Sequence, residues 1–213
     1  MKKLFISLSL LIFSAAVIAQ SARYAEFMKK NMAQLDSAQS PEAFQDLANN
    51  FERIAGAEKD QWHAYYYAAY AMAMKSFITK DKSQVDGICD KADEFLSMAE
   101  SLSSNNSEIT TLKAMLLESR MSVDQSRGMT LGPRASTLLE KALSEQPANN
   151  PRALTQMAQM KYYTPVAFGG GKEPGLVYIK KAIAAYSSFV PASELDPNWG
   201  KGYAEQLLAQ WSK

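Results

Sequence analysis

Three stretches of eight residues share one pattern: ADEFLSMA (92–99), ASTLLEKA (135–142) and GLVYIKKA (175–182). Each begins with a small residue, carries Leu or Ile four positions later and ends with Ala. They recur at intervals of about 40 residues, a period typical of stacked helical units. Small residues let two helices lie close together, and the large residue one turn later fills the space between them. The pattern therefore predicts helix pairs that pack against their neighbours along the chain.

Helix-start signals divide the chain in the same way. A cap or turn residue stands directly before proline at Ser40-Pro41, Gly132-Pro133, Asn150-Pro151, Glu173-Pro174 and Asp196-Pro197. Between these signals apolar residues recur at helical spacing, and no convincing strand alternation is found. The sequence predicts an all-α fold whose last helix runs from Asp196-Pro197 to Trp211. The Trp211 indole either caps the stack or contacts another chain.

Two local motifs carry a resemblance to tetratricopeptide repeats. PANNPRAL (147–154) resembles the turn that leads into the next repeat, and Trp62, Tyr65 and Tyr66 stand where the first helix of a repeat has its Trp and the residues after it. The stretch YYTPVAFGGGK (162–172) resembles a feature of exported bacterial tetratricopeptide-like proteins. The resemblance covers most of the chain after residue 19, with longer loops than the usual repeat. It implies a right-handed α-solenoid of antiparallel helix hairpins with a C-terminal capping helix.

The N-terminus predicts export. Lys2 and Lys3 precede an uncharged apolar run from Leu4 to Ile18, which is short for a membrane span. Ala19 then offers a signal-peptidase site. We expect residues 1–19 to be cleaved as a signal peptide and residues 20–213 to form one helical-repeat domain in the periplasm, with secretion as the alternative. No stable membrane insertion is expected after cleavage.

Composition narrows the chemistry. The 23 basic and 22 acidic residues nearly cancel, so the charge gives no reason to expect a nucleic-acid partner. The single Cys89 and single His63 cannot make a zinc site alone, and no nucleophile motif accompanies His63. The methionines lie at helix-core spacing, and acidic residues such as Glu145 are interpreted as parts of solvated helix faces. We therefore predict no catalytic residue, no metal site and no cofactor.

The run Gly169-Gly170-Gly171-Lys172 has three glycines before a lysine, as some phosphate-binding loops do. A Walker A loop would need Gly at position 166 and Ser or Thr after the lysine, but the chain has Val166 and Glu173. We interpret the run as a linker between two helices, with Tyr163 and Phe168 anchoring it against the hairpin. A loop that contacts a ligand is the alternative interpretation.

Aromatic residues crowd the helix that follows Asp60, more than one helix contact requires. Core packing and a binding groove are both open interpretations, because exposed aromatic residues often mark interfaces. The candidate partner-binding residues are Trp62, Tyr65, Tyr66, Tyr70, Tyr162 and Lys172.

These observations predict a non-catalytic scaffold of the cell envelope that binds a protein or peptide on its inner face. The alternative is a small-ligand-binding component of an envelope uptake or transport system. A small ligand that raises the melting temperature would favour the alternative. An enzyme is the least supported of the three, since no set of residues meets the geometric needs of a reaction.

Overall fold

The computed structural model describes residues 23–213; the predicted signal peptide, residues 1–19, lies outside this range. Nine helices occupy the described residues: α1 (23–35), α2 (Pro41–Ala57), α3 (Trp62–Ile78), α4 (Val85–Leu102), α5 (Ser107–Met121), α6 (Gly128–Ser144), α7 (Pro151–Tyr163), α8 (Lys172–Ser188) and α9 (Lys201–Trp211). Short 3₁₀ turns precede α4, α6 and α8. Within residues 23–213 there is no strand, which confirms the all-α prediction.

The repeated eight-residue pattern lies where helices touch. All nine of its key positions, three each in α4, α6 and α8, are buried. Gly175 shows why a small residue is needed, because a Cβ atom there would stand 2.6 Å from Cβ of Tyr162 in α7. Real Cβ atoms do not approach so closely, so α7 and α8 can pack at this distance only with glycine at position 175. The predicted close packing within helix pairs is confirmed.

The turns that enter α5 and α7 are built alike. Asn105 and Asn149 adopt left-handed backbone, with φ of 55° and 56°. The next residue in each turn caps its helix: Asn106 accepts a hydrogen bond from the Glu108 amide at 3.0 Å, and Asn150 accepts one from the Arg152 amide at 2.9 Å. The same turn geometry therefore starts the first helix of two successive pairs.

The apolar core is continuous within helix pairs, and α9 covers it at the C-terminal end of the stack. One apolar cluster joins α1 to α5, and a second joins α7, α8 and α9. Trp211 of α9 is buried and stacks on Tyr162, with ring centroids 4.1 Å apart. This contact confirms the predicted capping helix and assigns Trp211 to it. Within residues 23–213, no helix combines the length and apolar composition that crossing a membrane requires.

Two predicted helix starts are wrong. The helix α6 begins at Gly128, so Pro133 lies inside it, where it removes only one backbone hydrogen bond near the start of the helix. The last helix begins at Lys201 and not at Asp196-Pro197. The Asp196 carboxylate is engaged by His63 and by the Ser193 amide, at 2.7 and 2.9 Å, and therefore does not cap a helix.

Candidate functional site

A non-helical segment crosses the face on which α3, α5 and α7 adjoin. This crossing segment, residues 189–200, connects α8 to α9 and returns to α3. Trp199 donates from Nε1 to the Tyr66 hydroxyl at 3.0 Å, and its ring stacks on Tyr70 with centroids 4.6 Å apart. Asp196 bonds His63 of the same helix. The chain itself thus covers part of the face on which a repeat protein would bind an extended peptide.

The predicted partner-binding residues do not form one surface. Tyr66 is fully buried, Tyr70 lies beneath Trp199, and Trp62 and Tyr65 are half-buried beside the core. Tyr162 is stacked on Trp211, whereas Lys172 is exposed at the start of α8. The structure thus brings the four α3 residues together near the crossing segment and leaves the other two elsewhere. A role for these six residues in partner binding stays a prediction.

Polar residues recur at one position of the first helices on this face. His63, Glu108 and Arg152 each lie two residues after the N-cap of their helix. Arg152 is 0% exposed and makes two bonds to Glu108, Nε–Oε2 at 2.7 Å and Nη2–Oε1 at 2.5 Å. The rings of Phe189 and Trp199 cover its guanidinium at 4.4 and 5.8 Å. These contacts fasten the crossing segment to the helices.

The only histidine is likewise used in a structural contact. The Nε2 atom of His63 bonds Asp196, and its Nδ1 atom is buried without a hydrogen-bond partner among the described residues. Burial lowers the pKa of His63, while Asp196 opposes that shift. Cys89, the only cysteine, is buried, and burial raises the pKa of its thiol. Among residues 23–213 no three His, Cys, Asp or Glu side chains are placed to hold a metal ion.

An open groove of about 760 Å³ lies near the C-terminal ends of α5 and α7, away from the crossing segment. We call it the Met-aromatic groove, because its apolar lining includes Met121, Met129, Met160, Tyr163, Pro165 and Phe168. Three of these side chains remain largely exposed: Met129 at 74%, Tyr163 at 70% and Phe168 at 67%. Large apolar side chains left exposed around a concave space are common at ligand and partner sites, so this groove is a candidate site.

The glycine run shapes one wall of this groove. Gly169 and Gly171 have φ of 78° and 115°, and a Cβ atom on Gly170 would stand 2.2 Å from the carbonyl oxygen of Thr164. The Gly171 amide donates to the carbonyl oxygen of Lys161 at 2.8 Å, which folds the loop back onto α7. The loop does link α7 and α8, and the same fold places Phe168 on the groove wall.

Three titratable side chains, Glu118, Lys161 and Tyr163, line the groove. The Oε1 atom of Glu118 is buried and has no hydrogen-bond partner among the described residues. Burial raises the pKa of the Glu118 carboxyl to about 8, so the acid form predominates at neutral pH. The groove therefore presents an apolar surface with one cation, one phenol and one uncharged carboxylic acid.

A second groove, of about 680 Å³, lies between α1 and α2. Its lining is more polar and more basic, with Arg23, Lys30 and Arg53 beside Tyr24 and Phe27. We call it the N-terminal groove. Its charge and its amide side chains favour an anionic ligand, whereas the Met-aromatic groove favours a large apolar one.

Sequence reasoning did not identify the Met-aromatic groove. It assigned the methionines to the core, which is right for Met157 but not for the exposed Met129. It also expected Tyr163 and Phe168 to anchor the loop against the hairpin. The Tyr163 ring does make edge contacts with Tyr162 and Trp211, but the side chains of Tyr163 and Phe168 are both largely exposed. The available signal was the placement of aromatic residues directly before and within a loop rich in Pro and Gly, because loops commonly carry binding residues.

The chain is similar to one solved structure in particular, the HusA haemophore from Porphyromonas gingivalis. The two sequences are 39% identical, the match covers 88% of this chain and 92% of the other, and the TM-score is 0.80. No protein-family model matches the chain, and no curated protein matches it.

Proposed function

This chain belongs to the family of the HusA haemophore, and we propose that it is a non-catalytic haem-binding protein that holds haem in the Met-aromatic groove. The observation that carries the proposal is an open, largely apolar groove of about 760 Å³ in a chain 39% identical to a haemophore. This is the alternative function that the sequence suggested, a small-ligand binder, and it now has better support than a peptide scaffold.

The chemistry of the groove suits a porphyrin. Pockets for ligands of this class measure roughly 300–1,000 Å³ and have mostly apolar walls with a few polar groups. The faces of the macrocycle are apolar and aromatic, so they would pack against the rings of Tyr163 and Phe168 and the thioether of Met129. The Lys161 ammonium suits the negative charge of a propionate. The open side of the groove would leave room for haem to enter and leave.

Histidine and cysteine are absent from the groove lining. We therefore attribute most of the affinity to packing against the macrocycle. A porphyrin without iron should bind within about tenfold of haem, a difference of roughly 1.4 kcal/mol. Because Met and Tyr side chains ligate iron in some haem proteins, the comparison also measures what the metal contributes.

A peptide scaffold has less support because its expected binding face is in use. The crossing segment lies over Tyr66 and Tyr70, with its Trp199 ring and Asp196 carboxylate bonded to α3. A peptide would have to displace these contacts before it reached the inner helices.

Titration of the purified protein with haem tests the proposal. Absorbance and quenching of tryptophan fluorescence should show saturable binding to the wild type. We expect Met129→Ala and Phe168→Ala each to weaken binding about tenfold, through lost packing of one large side chain. Met98→Ala and Phe27→Ala are matched controls, since both residues are exposed and lie outside this groove.

The controls also locate the site. Phe27 lines the N-terminal groove, so a loss of affinity in Phe27→Ala alone would assign haem to that groove and refute the Met-aromatic assignment. A wild type that does not bind haem or a metal-free porphyrin would refute the function itself.

The export and repeat assignments belong to the same proposal. A signal peptide at residues 1–19 would deliver the protein to the periplasm or out of the cell, where an envelope haem binder would act. Degenerate tetratricopeptide repeats are supported by the equivalent turns at Asn105 and Asn149 and by the paired helices. Cleavage after Ala19 is tested by N-terminal sequencing of the exported protein.

A further inference from the structure

Glu118 is unusual among the groove residues because it is a carboxyl group with an unmet hydrogen-bonding need. It lies near the end of α5, lines the Met-aromatic groove, and its Oε1 atom is buried without a partner among the described residues. A buried polar atom without a partner is destabilising, and such atoms are rare in folded proteins unless they serve another purpose.

We propose that Glu118, in its acid form, donates a hydrogen bond to a carboxylate of the bound ligand and so selects porphyrins with free propionates. The inference rests on the proposed haem function of the groove. It assigns Glu118 as a specificity residue and Lys161 as the neighbouring cation. The ligand carboxylate would be placed between an ammonium and a carboxylic acid, and both groups donate to it.

The charges that face Glu118 are consistent with this role. Among residues 23–213 no basic group lies within 4.0 Å of its carboxylate, so no ion pair holds it ionised. The other titratable groups of the groove are Lys161 and Tyr163 of α7, and α6 contributes none to the lining. Burial raises the pKa of the Tyr203 phenol of α9, and the nearby Tyr163 and Glu118 add smaller effects in the same direction. Burial alone raises the pKa of Glu118 to about 8.

A hydrogen bond from an uncharged acid to a carboxylate is strong because the acceptor is charged. The same carboxyl, once ionised, would repel the ligand carboxylate. Affinity for a dicarboxylate porphyrin should therefore be highest below the pKa of Glu118 and fall by up to about tenfold per pH unit above it. A porphyrin whose carboxyl groups are esterified should show no such fall.

The test compares protoporphyrin IX with its dimethyl ester on three forms of the protein, wild type, Glu118→Gln and Glu118→Leu, between pH 6 and 9. Glu118→Gln keeps a donor and cannot ionise, so we expect affinity within about threefold of wild type at pH 7 and no dependence on pH up to 9. Glu118→Leu should lose about tenfold or more for the diacid. Its affinity for the diester should fall less than about threefold, because the esterified porphyrin makes only apolar contacts with the wild type and with the variant. Circular dichroism confirms that each variant is folded.

The outcomes separate the two proposals. Equal losses for diacid and diester in Glu118→Leu would overturn the role of Glu118 while leaving porphyrin binding in place. A pH dependence that persists in Glu118→Gln would also overturn it, since another group would then titrate. A wild-type protein that binds neither porphyrin at any pH would overturn both this inference and the haem function.

Discussion

Replacing Glu108 by Gln should be among the most destabilising single changes in this protein. The substitution keeps the size of the side chain but removes the charge that balances Arg152. Arg152 is 0% exposed, and the Glu108 side chain is only 4% exposed, so water cannot replace the lost partner. Leaving one charge of a buried pair uncompensated costs about 3–5 kcal/mol. That is a large share of the roughly 5–15 kcal/mol by which a domain of this kind is stable.

Urea denaturation followed by circular dichroism measures the effect. We expect the Glu108→Gln midpoint to fall far below that of wild type, with the double variant Glu108→Leu/Arg152→Met recovering most of the loss, because an apolar pair carries no unbalanced charge. Glu52→Gln is the matched control, since Glu52 pairs with Lys91 at 3.1 Å on an open surface and should cost less than about 1 kcal/mol. If Glu108→Gln were as mild as Glu52→Gln, the argument from burial would be refuted.

Four further substitutions test other features of the fold. Gly170→Ala should lower the free energy of unfolding by about 2 kcal/mol and weaken porphyrin binding, because the new Cβ atom would stand 2.2 Å from the Thr164 carbonyl oxygen. Gly202→Ala is the contrasting case: no atom lies within 4 Å of the new Cβ atom, so the substitution should stabilise α9 by about 0.5–1 kcal/mol in the same urea assay. Trp199→Ala should lower the free energy of unfolding by about 3 kcal/mol, since it removes a stacked ring and the donor to a buried tyrosine; an unchanged urea midpoint would contradict the crossing contacts. The free energy of unfolding of the wild type should fall by up to about 1.4 kcal/mol per pH unit between pH 5 and 8, because the pKa of Glu118 is about 8 in the folded protein and lower in the unfolded chain. Glu118→Gln cannot ionise and should abolish this fall. A wild-type stability that does not change with pH over this range would contradict the argument.

The periodic features of the sequence predicted most of the fold. Small and large residues at fixed spacing in α4, α6 and α8 identified the helix contacts, and every one of those positions is buried. The Asn-Asn turns before α5 and α7 could also be predicted from the sequence, because few residues other than glycine adopt left-handed backbone as readily as asparagine. Local rules of this kind depend on neighbouring residues, which a single sequence displays.

Features that depend on distant residues were not predicted. Asp196-Pro197 has the form of a helix start, but a contact with His63, 133 positions earlier, holds it in the crossing segment. Glu145 was expected to be solvated, whereas it is buried at the turn between α6 and α7. The candidate site was missed because the local sequence pattern is ambiguous. Methionines and aromatic residues have the same helical spacing in a core and on the wall of a groove.

The crossing segment also limits how this protein can vary. In an ordinary repeat array each unit touches only its neighbours, so an evolving chain can gain or lose a unit without disturbing the remainder. Here Trp199 and Asp196 meet α3 across 133 positions of sequence, and a pair of helices added between them would carry these side chains past their partners. The number of helix pairs is therefore fixed by the crossing segment, which contacts both ends of the intervening chain. For the same reason, unfolding should be a single cooperative event and should not proceed unit by unit.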